Sequence, residues 1–236
     1  SASAWRTRDP LSRNSNRAID GDLLRSQRGL YRTALDQHAL PFWYAHGYDA
    51  ERGGFFAPVY ADGHQQNQKS GWNQGRGLWI FSRYYRLHDR EPRYLAAATR
   101  SRDFFLRHGF DTQGDGLSLL DAEGRQLAGA TSVYTDIYWI HGLAEPALAS
   151  GDEASLANAR KRVHRIHQRI IAPDFQHSLS VYTRPHQVLA VWFLLLDALI
   201  DLLRLEFDDD LEQLAALCVA GLLNTWTRPA ASLSKL

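Results

Sequence analysis

The 236-residue chain contains no methionine and a single cysteine, Cys218. One cysteine excludes an internal disulfide and fits a reducing compartment. The missing methionine, start residue included, points to a chain whose first residue has been removed or to a fragment. Charge of either sign is not in excess: 27 Lys and Arg oppose 26 Asp and Glu, a formal net charge of +1. That balance supplies no electrostatic footprint for nucleic acid or an anionic membrane. No hydrophobic run is long enough to span a bilayer, since the longest, Val188 to Leu203, is broken by Asp197 and Asp201. Residues 1–20 are polar and Arg-rich and lack the apolar centre of a secretory signal. With 44% hydrophobic residues, the chain has enough for one packed core. The expectation is a soluble, cytoplasmic globular protein with no nucleic-acid or membrane partner.

What is there centres on Lys69 to Tyr85. At helical spacing Trp72, Gly75, Arg76 and Trp79 share a face, Leu78, Phe81 and Tyr85 another, and no face is polar before Arg83 and Arg86. A helix apolar nearly all round is buried on all sides. Arg76 then needs an anionic or electron-rich partner. The residues alone leave that partner open between a carboxylate such as Asp136 and a ligand.

Along the chain, residues 1–20 read as a flexible arm, 21–227 as one domain and 228–236 as a tail. An amphipathic helix from Asp22 to His46 has Leu24, Tyr31, Leu35, His38 and Phe42 on its inner side. Gly47 to His64 reads as a short hairpin with an Asp62-Gly63 turn, and the Trp72 helix follows. Pro92 opens an amphipathic helix. Asp111 to Gly129 is a second hairpin-like segment with Asp115-Gly116 and Glu123-Gly124 turns. Ser132 to Ser150 is apolar all round, with a second face of Tyr134, Tyr138, His141 and Glu145 and a kink at Pro146. Asp152 to Ile171 is exposed and basic. A loop from Ala172 to Pro185 leads into the apolar helix His186 to Leu205, and Asp208 to Thr225 ends the series with an acidic start.

Helices one, three, five and seven are therefore amphipathic, and two, four and six are buried. Such pairs make concentric layers, an all-α toroid with inner helices covered by outer ones. The leading loops, and the N-termini of the inner helices, should gather at one end with short β-hairpins. That end would present Arg76, Tyr134 to Asp136 and His186, with helix dipoles favouring an electron-rich ligand.

Phe42-Trp43-Tyr44-Ala45-His46-Gly47, Gly53-Gly54-Phe55-Phe56, Lys69 to Tyr85 with Gln74-Gly75-Arg76, and Thr131 to Glu145 occur in the order found in the N-acylglucosamine 2-epimerase family, which the chain resembles over about residues 22 to 225. The resemblance implies an (α/α)6 barrel with about seven of twelve helices present. It also implies metal-free, cofactor-free proton transfer at C2 of an open-chain sugar through an enediolate, on a mono- or disaccharide. Arg76 matches the family's active-site arginine, which would stabilise the oxyanion. The family's two catalytic histidines lie on inner helices further along, one in a Pro-Gly-His-x-x-Glu pattern. Arg184-Pro185-His186 is similar to that pattern, but Leu189 stands at the glutamate position. Helix counting puts His186 where relatives have an added sugar-contacting histidine, with a catalytic role as the alternative. Arg76 and His186 are thus the catalytic candidates, and Trp72, Tyr134, Asp136, Tyr138 and His141 the substrate-binding ones. A homodimer is one option.

Three readings remain beside one another. The chain is an epimerase or isomerase of this type, inactive alone if the catalytic helices are required. It is a non-catalytic or degenerate sugar-binding protein, whose open arc would expose the flanks of helices six and seven. Or it is an α/α-barrel glycoside hydrolase, for which Asp49, Glu51, Asp111, Asp115 and Asp136 offer carboxylates. His164 and His167 have metal-compatible spacing but no third ligand and no His-Glu-x-x-His pattern, so a solvated face is expected. The basic run Arg160 to Arg169 is expected to be surface.

Overall fold

The computed structural model describes residues 20–88, 90–172 and 189–227, with side chains to residue 224. By its internal contacts the chain divides into two compact units, Ser1–Trp43 and Tyr44–Leu236. The first contributes one helical stretch, α1 (Gly21–Ala34) and α2 (Leu40–Phe42), started by the Asp20 carboxylate accepting from Asp22 N at 2.9 Å. The stretch widens into π turns at Leu35–Ala39 and Trp43–Gly47, on either side of Pro41, which has no N–H to continue the ladder. Contrary to expectation, α1 buries no residue. A single helix has no second layer within its own unit.

The second unit alternates layers. The inner helices are α3 (Gly71–Leu87), α5 (Val133–Ser150) and α7 (Leu189–Leu203), and consecutive ones pack together. The outer helices α4 (Pro92–His108), α6 (Glu153–Ile171) and α8 (Asp209–Thr227) each pack on the inner helix before them. Ser132, Asp152 and Asp208 accept hydrogen bonds from the first-turn N–H groups of α5, α6 and α8. Gly151, at φ +71°, ends α5 in the left-handed conformation. The alternation read from the sequence is the (α/α)6 arrangement, as an arc of inner and outer helices.

Two of the three inner helices are less covered than their composition implies. α5 is buried from Val133 to Ala147 apart from half-buried Tyr138, and it runs on through Pro146. On α3, by contrast, Arg76 and Ile80 are exposed and Trp72, Trp79 and Arg83 only half-buried. α7 exposes Leu189, Phe193, Asp197 and Ile200 along one stripe. Hydropathy alone does not separate an apolar face that meets a neighbour from one that lines an open concavity.

α3 and α5 approach through glycine. A Cβ on Gly75 would lie 2.2 Å from the Tyr138 carbonyl oxygen, and one on Gly142 2.7 Å from that of Gly75. Both obstacles are backbone, so neither can yield.

The segments leading into α3 and α5 form one small sheet. β1 (Gln68–Ser70) pairs antiparallel with β2 (Leu119–Asp121), and β2 with β3 (Gln126–Ala128) across the Glu123-Gly124 turn. Lys69 and Ser70 thus belong to a strand, and the helix begins at Gly71. The Gly47 to His64 hairpin is reduced to isolated bridges, Tyr48 to Phe55 and Val59 to Gln65, around the expected Asp62-Gly63 turn. The first turn of the second hairpin falls at Gly114, φ +86°, with Asp111 accepting from Gln113 and Asp115 N–H, rather than at Asp115-Gly116.

Lys69 fastens these loops together. Its ammonium is fully buried and donates to Asp49 Oδ2 at 2.8 Å, Gly53 O at 2.7 Å and Ala122 O at 2.8 Å. It also lies 3.8 Å from the centre of the Phe104 ring. Burial pushes the Lys69 ammonium below its ordinary value, against the pull of Asp49. Asp49 is itself held low, because Lys69 and the N–H groups of Arg52 and Glu51 outweigh its own burial.

Removing one member of such a pair leaves a buried charge unmatched, which costs about 3–5 kcal/mol. Lys69→Met should lose that much in urea unfolding. Gly75→Ala should also destabilise, since its gain in helix propensity of about 1 kcal/mol cannot offset a backbone clash. A Gly75→Ala protein melting at or above the wild-type temperature would refute the close approach.

Candidate active site

The open face of α3 meets α5 in a ladder with constant register. Trp72 lies edge-on to Tyr134 at 5.4 Å between centroids, and Arg76 Nη2 donates to Tyr138 Oη at 3.2 Å. Trp79 is edge-on to His141 at 6.4 Å, and Arg83 Nη1 donates to Glu145 Oε2 at 3.3 Å. Each pair is separated by 62 residues, as two parallel helices require. Five sequence candidates, Trp72, Arg76, Tyr134, Tyr138 and His141, are therefore brought together on consecutive rungs.

Arg76 carries the arginine-aromatic cluster. Its guanidinium carbon stands 4.5 Å from the Tyr138 ring centre and 5.8 Å from that of Trp72. The side chain is exposed, not enclosed, which corrects the expectation of a buried cation. Among the described residues no carboxylate pairs with it. The cation is tethered by an aromatic hydroxyl, and among the described residues its other donors face no partner. Burial, then the neighbouring Tyr138, raises the Tyr134 phenol above its ordinary range.

Asp136 stands elsewhere. It is buried, accepts from Gly116 N at 3.0 Å and Arg169 Nη1 at 3.0 Å, and has Arg162 at 3.8 Å. Its role is to tie α5 to the second leading loop and to α6, and the Arg76–Asp136 ion pair does not form. Burial pushes the carboxyl up to about 6 against the opposing pull of Arg169 and Arg162. The basic run on α6 is likewise no plain surface. Arg162 stacks on Phe110 at 3.5 Å, Arg165 binds Asp115 at 2.6 Å, and Arg160 binds Asp208 at 2.9 Å. His186 lies outside the described residues.

Sequence reasoning missed the third rung's other partners. His141 Nε2 faces Asp197 Oδ2 at 3.2 Å and its Nδ1 faces Asp201 Oδ2 at 3.3 Å, both from α7. The signal was present, because two acids four apart on an apolar helix share one face. Arg86 Nε also donates to the buried Glu145 at 2.6 Å, so this glutamate is fully engaged. The carboxylates a hydrolase would use are similarly taken: Asp49 by Lys69, Glu51 by Arg52 on the surface, Asp111 by its own turn, Asp115 and Asp136 by α6 arginines.

No family model matches the chain. Among curated relatives, the N-acylglucosamine 2-epimerase of Bos taurus is 28% identical over 136 residues, covering 56% of this chain and 32% of its own length. The cellobiose 2-epimerase of Bacteroides fragilis is 30% identical over 128 residues, covering 53% and 32%. The stretch shared with them is similar in sequence to both 2-epimerases. Its fold agrees. The cellobiose 2-epimerase of Bacillus thermoamylovorans superposes with a TM-score of 0.71 at 22% identity, over 83% of this chain and 55% of that one. A D-mannose isomerase gives 0.68 at 15% identity, over 87% and 52%. A heparin-specific unsaturated glucuronyl hydrolase gives 0.59 at 14% identity, over 87% and 60%. The match spans about a third of the curated relatives and about half of the epimerase and isomerase structures.

The Asp136 environment makes a pH prediction. A carboxyl whose folded value lies above its unfolded 3.8 favours the folded state below that value, and this advantage is lost as pH rises through about 6. The span corresponds to roughly 3 kcal/mol. Melting curves from pH 4 to 7 should show Asp136→Asn gaining on the wild type as pH rises. Parallel curves would remove Asp136 as a titrating buried group.

Proposed function

We propose that this chain forms the sugar-holding wall of a carbohydrate 2-epimerase or aldose–ketose isomerase acting on a mono- or disaccharide. One observation carries the reading: Arg76, exposed on the concave face, held by Tyr138 and Trp72 and matched to no carboxylate among the described residues. In metal-free transfer at C2, a base removes the proton beside the open-chain carbonyl and an oxyanion develops. A fixed guanidinium next to that oxygen stabilises the enediolate more than the neutral sugar, which is the requirement for catalysis. Half-buried Trp72 and Tyr138 supply aromatic surface for the apolar side of the ring, with buried Tyr134 backing Trp72 edge-on. Similarity to named 2-epimerases over half the chain, and to epimerase and isomerase folds over most of it, supports the same chemistry. No helix among the described residues is long and apolar enough to cross a membrane.

The test is incubation in deuterated buffer with mannose, glucose, N-acetylmannosamine and cellobiose separately, following the C2 proton by NMR. Exchange is expected with at least one sugar, and Arg76→Ala should slow it by roughly 10²–10³-fold, as loss of an oxyanion donor does. A folded protein that binds sugar without C2 exchange would refute the epimerase and isomerase reading and leave a sugar-binding protein without chemistry at C2.

A further inference from the structure

We propose that His141 and Asp197 form an acid–base pair that opens the hemiacetal ring of the bound sugar, so that the chain interconverts sugar anomers independently of chemistry at C2. The proposal rests on the reading that the concave face holds a sugar. Reaction at C2 requires the open-chain carbonyl, whereas hexoses and reducing disaccharides rest as closed rings. Opening moves two protons at oxygens attached to one carbon, so acid and base must stand side by side.

The third rung has that arrangement. It lies three residues beyond the Arg76–Tyr138 rung on both helices, a rise of about 4.5 Å, within the span of one pyranose. His141 Nε2 and Asp197 Oδ2 are 3.2 Å apart, and Asp197 is exposed on the open stripe of α7 with 56% of its side chain accessible. Behind the ring, buried Asp201 lies 3.3 Å from Nδ1 and 3.0 Å from Arg204 Nη1. Each ring nitrogen thus has a carboxylate within ion-pairing distance, one exposed and one buried. Although burial alone would raise it, Asp201 is held below its ordinary range by His141, Trp79 and Arg204. Its carboxylate therefore sets a negative charge behind the imidazole, 3.3 Å from Nδ1. The remaining charges nearby, Arg83 and Arg86, are occupied by Glu145 one rung further.

The step balances without a co-reactant. Asp197 takes the proton of the anomeric hydroxyl, the electron pair of the O1–H bond becomes the second bond of the C1=O1 carbonyl, and the C1–O5 bond breaks. Its electron pair stays on O5, which receives the Nε2 proton of His141. Neutral His141 and protonated Asp197 remain in contact, and one proton passing back restores both. Closure on the other carbonyl face completes anomer exchange. Nothing else in the described concave face pairs an exposed carboxylate with an imidazole in this way, and the pair has no use in holding helices that the buried Asp201 does not already serve.

Polarimetry of freshly dissolved α-glucose and α-mannose, with exchange NMR of cellobiose, reads the activity directly on the full chain. The wild type should accelerate anomerisation in proportion to protein concentration. His141→Asn and Asp197→Asn should each cut that acceleration at least tenfold, the low end expected for losing an acid or base, while saturation transfer still reports bound sugar. Asp197→Asn changes an exposed group, so it tests the idea even if His141→Asn fails to fold. Asp201→Asn, a change at a positioning residue, should lower kcat for anomerisation with KM unchanged, and an unchanged kcat would remove that role. Bound sugar with no acceleration, or variants as active as the wild type, would overturn ring opening. C2 exchange without catalysed anomerisation would overturn only this step, and anomerisation without C2 exchange would refute the epimerase reading and leave this one standing.

Discussion

The fully buried ammonium of Lys69 sets the condition under which the rest of the second unit can exist. Each hydrogen on that nitrogen is directed at a different segment: the Asp49 carboxylate, the Gly53 carbonyl and the Ala122 carbonyl. A charge in a protein interior is tolerable only when its donors are all met. The loops before α3 and α5 are consequently locked together, and the strand holding Lys69 passes directly into the helix holding Arg76. The Gln74 amide adds to this by exchanging hydrogen bonds with both backbone groups of Phe55, each at 2.7 Å. Two polar residues of one short segment thereby hold the end of the barrel where the inner helices begin.

From that fixed start, α3 and α5 run parallel, and their glycine contact removes freedom along the axis. The aromatic and charged rungs follow from it. Moving down the ladder, the chemistry changes from aromatic edges to a tethered cation, then to an imidazole between carboxylates, then to a glutamate between two arginines. Among the described residues, the second and third rungs keep charged groups, Arg76 and Asp197, toward the open face. The deepest is a closed ion cluster, which bounds the functional part of the face.

Periodicity made much of this architecture legible. The alternation of buried and amphipathic helices gave the layers, and the Trp72 to Trp79 spacing gave one rail of the ladder. Its second rail, Tyr134, Tyr138, His141 and Glu145, was readable as a face of α5. Contacts made over long sequence separations were not. Lys69 reaches partners 20, 16 and 53 residues away, and no local pattern marks a lone lysine as buried. Asp136 looked like a pocket residue because it is next to the candidate tyrosines in sequence, yet a helix turns successive residues about 100° apart and sends it to the α6 side. The α6 arginines looked like surface because pairing with Asp115 and Asp136 is invisible to a count of charges.

The glycine contact between α3 and α5 also has a mechanical meaning. With no side chains between the two backbones at Gly75 and Gly142, there is nothing that can be compressed or repacked, and the pair behaves as a single beam. The neighbouring joint, α5 against α7, is bridged instead by side chains, His141 lying between Asp197 and Asp201. The glycine-tight pair carries the guanidinium and α7 carries the exposed carboxylate, so the two groups stand on helices joined in different ways, one backbone to backbone and one through side chains.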